Sequence, residues 1–210
     1  PHGAGSQRLS APAKKRFGQH FLHDGRVIAR ILQALNPQAG QRIVEIGPGR
    51  GALTAPLLQR IGELDVVEID RDVIAPLQRA CADAPGLRIH RADALKFDFT
   101  QLAAPGQPLR LVGNLPYNIS TPLLFHLLDQ SQVVQDMLFM LQKEVVDRMA
   151  ALPGEPDYGR LSVALAARAE VSWLFHVGPG SFSPPPQVDS AVVRVVPRAP
   201  DFEIHDWPTF

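Results

Sequence analysis

One cysteine, Cys81, stands among 210 residues. It leaves no internal disulfide framework and no cysteine-rich zinc site, and no metal is expected. No apolar run approaches the roughly 18 residues of a membrane-spanning helix. The first thirty residues also lack the apolar core of a secretory leader, so a cytoplasmic protein without membrane contact is expected. Net charge is missing as well: 21 Lys and Arg balance 21 Asp and Glu, and the total points to no polyanionic partner. With 45% hydrophobic and 20% charged residues, a disordered chain and a coiled coil are both excluded. What is present is enough chain to bury a two- or three-layer core.

The neutral sum hides an uneven distribution. Residues 1–30 carry Arg8, Lys14, Lys15, Arg16, Arg26 and Arg30 against the single acid Asp24. Residues 61–100 carry eight acids against five bases, and residues 129–170 seven against four. A basic arm is thus joined to a mildly acidic body. Such an arm binds phosphates by counterion release, although a solvated, frayed terminus fits the same residues. Arg supplies 17 of the 21 positive charges, a choice suited to bidentate phosphate contacts and equally compatible with compositional bias.

Periodicity sets the organisation. Residues 1–13 are small and polar and are expected to be a disordered basic tail. Asp24 reads as a helix N-cap before the stripe Val27, Ile28, Ile31, Leu32 and Leu35, which Asn36-Pro37 ends. Strands are expected at 42–46, 64–69, 87–90, 109–113, 137–141, 171–177 and 191–196. Helical stripes separate them: Leu53–Ile61, a segment capped by Asp70, one opening at Ser120-Thr121-Pro122, then 143–150 and 160–169. This alternation predicts a doubly wound, mostly parallel seven-stranded α/β sheet. The last two strands have no helix between them and are expected as an antiparallel edge pair.

Between the first strand and its helix lies Glu45–Gly51 (EIGPGRG). Gly47, Gly49 and Gly51 let the backbone turn sharply and approach a ligand closely. The spacing is G-x-G-x-G, not the dinucleotide fingerprint G-x-G-x-x-G, and no P-loop Lys-Ser/Thr follows. A nucleoside without a phosphate suits the loop better. Glu68 ends the second strand 19 residues after Gly49, where a carboxylate can accept both ribose hydroxyls; Asp70 reads rather as the next helix cap. Asp93 follows the third strand and can accept from the exocyclic amine of an adenine. Taken singly, each acid reads equally as a cap or a surface charge. Three successive strand ends bearing glycines, Glu and Asp describe an adenosine-containing cofactor across the sheet's C-terminal edge.

Residues 114–117, Asn-Leu-Pro-Tyr, follow the fourth strand. They suit methylation of an exocyclic amino nitrogen, whose lone pair is delocalised into the base. The Asn114 side-chain oxygen and the Leu115 carbonyl can accept its two hydrogens and direct the lone pair at an electrophilic methyl group. Pro116 fixes the turn, and Tyr117 can stack on the base. N-x-P-x after a strand is also a common turn.

Together these segments resemble the ribosomal RNA adenine N6-dimethyltransferases, and the bacterial small-subunit (16S) type more than the 23S resistance type. The matching stretches are Arg16–Leu22 (RFGQHFL), Glu45–Gly51, Val67–Asp70 (VEID), Asp93–Leu95, Gly113–Ser120 (GNLPYNIS), Tyr158–Ser162 (YGRLS) and Phe182–Ser190 (FSPPPQVDS). The resemblance covers residues 14–198, the expected catalytic domain, with 199–210 as the start of a helical lobe. It implies a Rossmann-like class I methyltransferase fold and S-adenosyl-L-methionine as cofactor. It further implies dimethylation of two adjacent adenines in the 3′-terminal hairpin of 16S rRNA, within an immature 30S particle, by a monomer. Gln19, His20 and Leu22 match a motif that closes over the methionine end, His20 standing where many members have Asn. Gly47, Gly49, Glu68, Ile69, Asp93, Ala94 and Asn114 match cofactor positions, Ala94 through its backbone. Phe182 matches an aromatic that packs on the flipped target base opposite Tyr117. An NAD-dependent oxidoreductase is disfavoured by the glycine spacing. A nonenzymatic assembly factor is disfavoured by intact Asn114, Tyr117 and Phe182.

Overall fold

The computed structural model describes residues 19–81 and 84–199. The expected tail, the Lys14–Arg16 cluster and residues 200–210 lie outside them. The chain runs through a two-residue strand β1 (Phe21–Leu22), α1 (Gly25–Leu35), β2 (Arg42–Ile46), α2 (Thr54–Ile61), β3 (Leu64–Glu68), α3 (Arg71–Ala80) and β4 (Leu87–Arg91). It continues with β5 (Leu109–Asn114), α4 (Ser120–Leu128), β6 (Val134–Gln142), α5 (Lys143–Ala150), α6 (Arg160–Ala166), β7 (Ala169–Val177), β8 (Phe182–Ser183) and β9 (Ser190–Pro197).

Seven strands form one sheet in the order β4-β3-β2-β5-β6-β9-β7. Strands β2 to β6 are parallel, and β9 runs antiparallel between β6 and β7. The central strands read as near-continuous apolar runs because both faces are covered. Alternate residues serve opposite layers: Ile43, Val66, Val112 and Leu138 pack with α1, α2 and α3, while Val44, Val67, Leu111 and Phe139 pack with α4, α5 and α6. Polar residues inside the strands are paired. Asp136 receives Arg110 through two contacts of 2.8 Å and Arg194 at 3.1 Å. Arg110 and Asp136 stand near the N-terminal ends of β5 and β6, at the edge remote from Asn114.

Two features differ from the sequence reading. The helix expected over 160–169 stops at Ala166, because Ala169 already pairs with Pro197 at the start of β7 and is buried there. The short β1–β8 ladder, Phe21↔Ser183 and Leu22↔Phe182, joins residues 162 and 160 positions apart and left no periodic signal. The strand order reverses between β2 and β5, which opens a crevice beyond their C-terminal ends.

Candidate active site

The crevice is a cavity of about 320 Å³. Its floor is the loop after β2, where Gly47, Gly49 and Gly51 adopt φ of 67°, 53° and 88°, a region costly for residues with a Cβ. A Cβ on Gly49 would lie 3.1 Å from the Phe21 ring. Gly113, just before Asn114, is equally constrained: a Cβ there would meet the Ile46 carbonyl oxygen at 2.4 Å. Absence of a side chain at this position lets β5 close on β2 and brings the Asn114 carbonyl within 3.8 Å of where a Gly47 Cβ would be.

Three strand ends supply polar groups. Glu68 is buried, and its Oε1 accepts from the Asp70 backbone N–H at 2.8 Å. Burial pushes its carboxyl above the usual range, and the Asp70 N–H opposes that rise. Asp93 Oδ1 accepts from the Leu95 N–H at 3.0 Å, which orients the carboxylate locally. Asn114 donates from Nδ2 to the main-chain carbonyl of His20 at 3.0 Å. A carbonyl only accepts, so this contact fixes the amide orientation and leaves Oδ1 as the free acceptor.

The segment before α1 roofs the cavity. Gln19 Nε2 donates to Asp70 Oδ2 at 3.0 Å, and His20 Nδ1 donates to the Pro184 carbonyl at 2.9 Å. The His20 and Tyr117 rings lie 5.8 Å apart at 31°. Tyr117 shares a 2.7 Å hydrogen bond with the buried Ser190 hydroxyl. Burial raises the phenol's pKa, and the Ser190 contact opposes the rise.

Gln19, His20, Leu22, Gly47, Gly49, Glu68, Ile69, Asp93, Ala94, Asn114, Leu115, Pro116 and Tyr117 all line this one cavity. Phe182 does not. Its ring is 2% exposed and sits in the core beside α1, opposite Leu22 in the β1–β8 ladder. Two charged wall residues were given no role in the sequence reading, Glu45 and Arg50. Glu45 is buried in β2 and accepts from Thr54 Oγ1 at 2.6 Å. Burial pushes its pKa up to about 8; the Thr54 hydrogen bond opposes this and the Glu68 charge adds to it. An acid inside the apolar run 43–46 was the available signal.

A sequence profile described as ribosomal RNA adenine dimethylase matches residues 11–210. The chain belongs to the ribosomal RNA adenine dimethylase family. It is 64% identical over 192 residues to the protein named Ribosomal RNA small subunit methyltransferase A of Xanthomonas axonopodis pv. citri (strain 306), covering 91% of this chain and 73% of that one. It is similar to the crystal structure of a dimethyladenosine transferase from Plasmodium falciparum, with TM-score 0.77 and 30% identity over 85% of this chain and 64% of that one. It is also similar to that of the 23S rRNA methyltransferase ErmE, with TM-score 0.75 and 27% identity over 90% and 75%. Within this dimethylase family the chain is an rRNA adenine methyltransferase, and its fold is the class I S-adenosylmethionine-dependent one. The cavity fits such a cofactor chemically: side-chain-free backbone for close approach, carboxylates for hydroxyls and amines, and an apolar shelf at Ile69 and Leu95.

Proposed function

We propose that this dimethylase transfers methyl groups from S-adenosyl-L-methionine to N6 of two adjacent adenines in the 3′-terminal hairpin of 16S rRNA. It acts as a monomer in the cytoplasm, on an immature 30S particle late in small-subunit assembly. The name of the Xanthomonas relative supports the small-subunit target, as do Tyr158–Ser162 and Phe182–Ser190. One observation carries the chemistry. The Asn114 amide, anchored through Nδ2 on the His20 carbonyl, keeps Oδ1 available as an acceptor, and Asn114 and Leu115 both line the cavity.

In this reading Glu68 and Ile69 hold the ribose, Asp93 and Ala94 the adenine, and Gly47 and Gly49 admit the backbone close to the nucleoside. Gln19, His20 and Leu22 cover the methionine end. The cofactor supplies an electrophilic sulfonium methyl group. Asn114 Oδ1 and the Leu115 carbonyl accept the two N6 hydrogens of the target adenine, which frees the nitrogen lone pair from the ring. Pro116 holds these acceptors in one turn, and Tyr117, tethered to Ser190, offers a ring face to the base. When N6 gains the methyl, one of its protons leaves to water, so no strong base is required. Phe182 enters through β8, holding Leu22 in the roof.

The test is transfer of labelled methyl groups to immature 30S particles by wild type and Asn114→Ala, with the modified 16S fragment mapped by mass spectrometry. Two dimethylated adenines near the 3′ end with wild type, and their loss in the variant, are expected. Labelling of 23S rRNA alone would move the target to the ErmE type. Cofactor binding with no methylation of either rRNA would overturn the enzymatic reading.

A further inference from the structure

Among the described residues, Arg50 is the only Lys or Arg in the cavity wall, which otherwise carries the acids Glu45, Glu68 and Asp93. Its side chain is exposed and makes no ion pair with a described residue. The guanidinium lies over the Phe21 ring, 4.3 Å from the centroid. Phe21 belongs to β1 in the roof, and its ring also packs against Gly49 in the floor. Arg50 therefore stands where floor, roof and cavity mouth meet. A guanidinium held over an aromatic ring by its charge has five N–H donors, and those not directed at the ring stay available for a planar acceptor.

The charge pattern of the wall is unequal to a simple cation. An adenosine-bearing sulfonium amino acid carries two positive groups and one carboxylate. Glu68 and Asp93 are available to hydroxyls and amines, while Glu45 is bonded to Thr54 and holds its proton near neutral pH; one fixed cation is available to the carboxylate. We infer that Arg50 binds the amino-acid carboxylate of S-adenosylmethionine, with Phe21 holding the guanidinium in position. The inference rests on the cofactor reading above. It makes Arg50 a discriminating residue: it separates ligands that carry the carboxylate from those that do not.

Calorimetry with three ligands tests this in wild type and Arg50→Met: S-adenosylmethionine, its decarboxylated analogue, and 5′-methylthioadenosine. Wild type is expected to prefer S-adenosylmethionine over the decarboxylated analogue. In Arg50→Met, S-adenosylmethionine should bind about tenfold more weakly, the size of one charge-assisted contact at a partly open site. The other two ligands should bind as in wild type, which also shows that the variant is folded. Arg50→Lys should recover part of the preference, since it keeps the charge and loses the planar fork. An equal loss for all three ligands would reduce Arg50 to a brace for Phe21 and overturn the inference, as would unchanged S-adenosylmethionine affinity. Wild type that binds none of the three would overturn the cofactor reading itself, a separate and recognisable failure.

Discussion

The Asn114 side chain and the His20 main chain, 94 residues apart, are joined by a 3.0 Å hydrogen bond from Nδ2 to the carbonyl. This ties the turn after β5 to the roof strand β1. The roof is in turn held on β8 and, through Gln19, on Asp70 at the cap of α3. Covering the cofactor and orienting the acceptor for the target amine thus depend on one set of contacts.

Asn114→Asp separates the roles of that amide. The replacement keeps the shape, loses the Nδ2 donor, and sets a carboxylate oxygen against the His20 carbonyl. Single-turnover methyl transfer should slow by roughly two to three orders of magnitude, as when an oriented polar contact to the reacting group is lost. A rate within threefold of wild type would remove Asn114 from the reaction.

Glu68→Ala addresses the ribose assignment. Glu68 faces the cavity at the end of β3 with one oxygen already committed to the Asp70 N–H. Removing it should weaken S-adenosylmethionine binding about tenfold or more, the cost of hydrogen bonds to a charged partner. Calorimetry giving equal affinity in the variant would remove the assignment.

Glu45 makes stability depend on pH. Its carboxyl titrates near pH 8 when folded, against an ordinary value of 4.5. Between these values the folded chain holds a proton that the unfolded chain has released. Ligand-free stability therefore falls as pH rises through this window, by at most about 1.4 kcal/mol per pH unit from this group. Glu45→Gln keeps a partner for Thr54 and abolishes the titration. The difference in urea-unfolding free energy, variant minus wild type, should grow from pH 5 to pH 8; a constant difference would show that Glu45 is ionised throughout.

The glycine loop, the acids after β3 and β4, and Asn114–Tyr117 were legible because each follows an apolar run whose length and periodicity mark a strand end. A parallel sheet places successive C-terminal ends on one edge, so local patterns sufficed to assemble most of the cavity. Gly113, Arg50 and the β1–β8 ladder were illegible for the opposite reason. Gly113 matters through the Ile46 carbonyl 67 positions away, Arg50 through Phe21, and Phe182 through Leu22. No local period encodes such pairings. Phe182 shows the consequence: a motif position matched to base stacking lies, in the folded chain, inside the core.

Gly113→Ala should be costly out of proportion to one methyl group. The added carbon would fall 2.4 Å from a backbone oxygen of β2, so a whole strand must shift where both faces are packed. Thermal or urea unfolding should show a loss of about 3 kcal/mol. Cofactor affinity should fall with it, because Gly47 and Asn114 flank the displaced contact. A variant as stable as wild type would show that β2 and β5 are less closely apposed at this point.

Phe182 allows two roles, stacking on the target base or anchoring the roof, and two substitutions distinguish them. With 2% exposure and Leu22 opposite it in the ladder, Phe182→Ala should lower stability by about 3 kcal/mol through the cavity left behind. Because β1 then loosens, cofactor binding should weaken in parallel. Phe182→Leu refills most of that space, and its cost should stay within about 1.5 kcal/mol. If the ring is an anchor, Phe182→Leu keeps wild-type kcat on immature 30S particles. If it stacks on an extruded adenine, loss of the aromatic face costs roughly 1–3 kcal/mol of base binding, and turnover drops at least several-fold while stability and cofactor affinity hold. The buried placement gives the first outcome as the expected one, and a selective loss of turnover in Phe182→Leu would mean that β8 rearranges to present the ring when RNA binds.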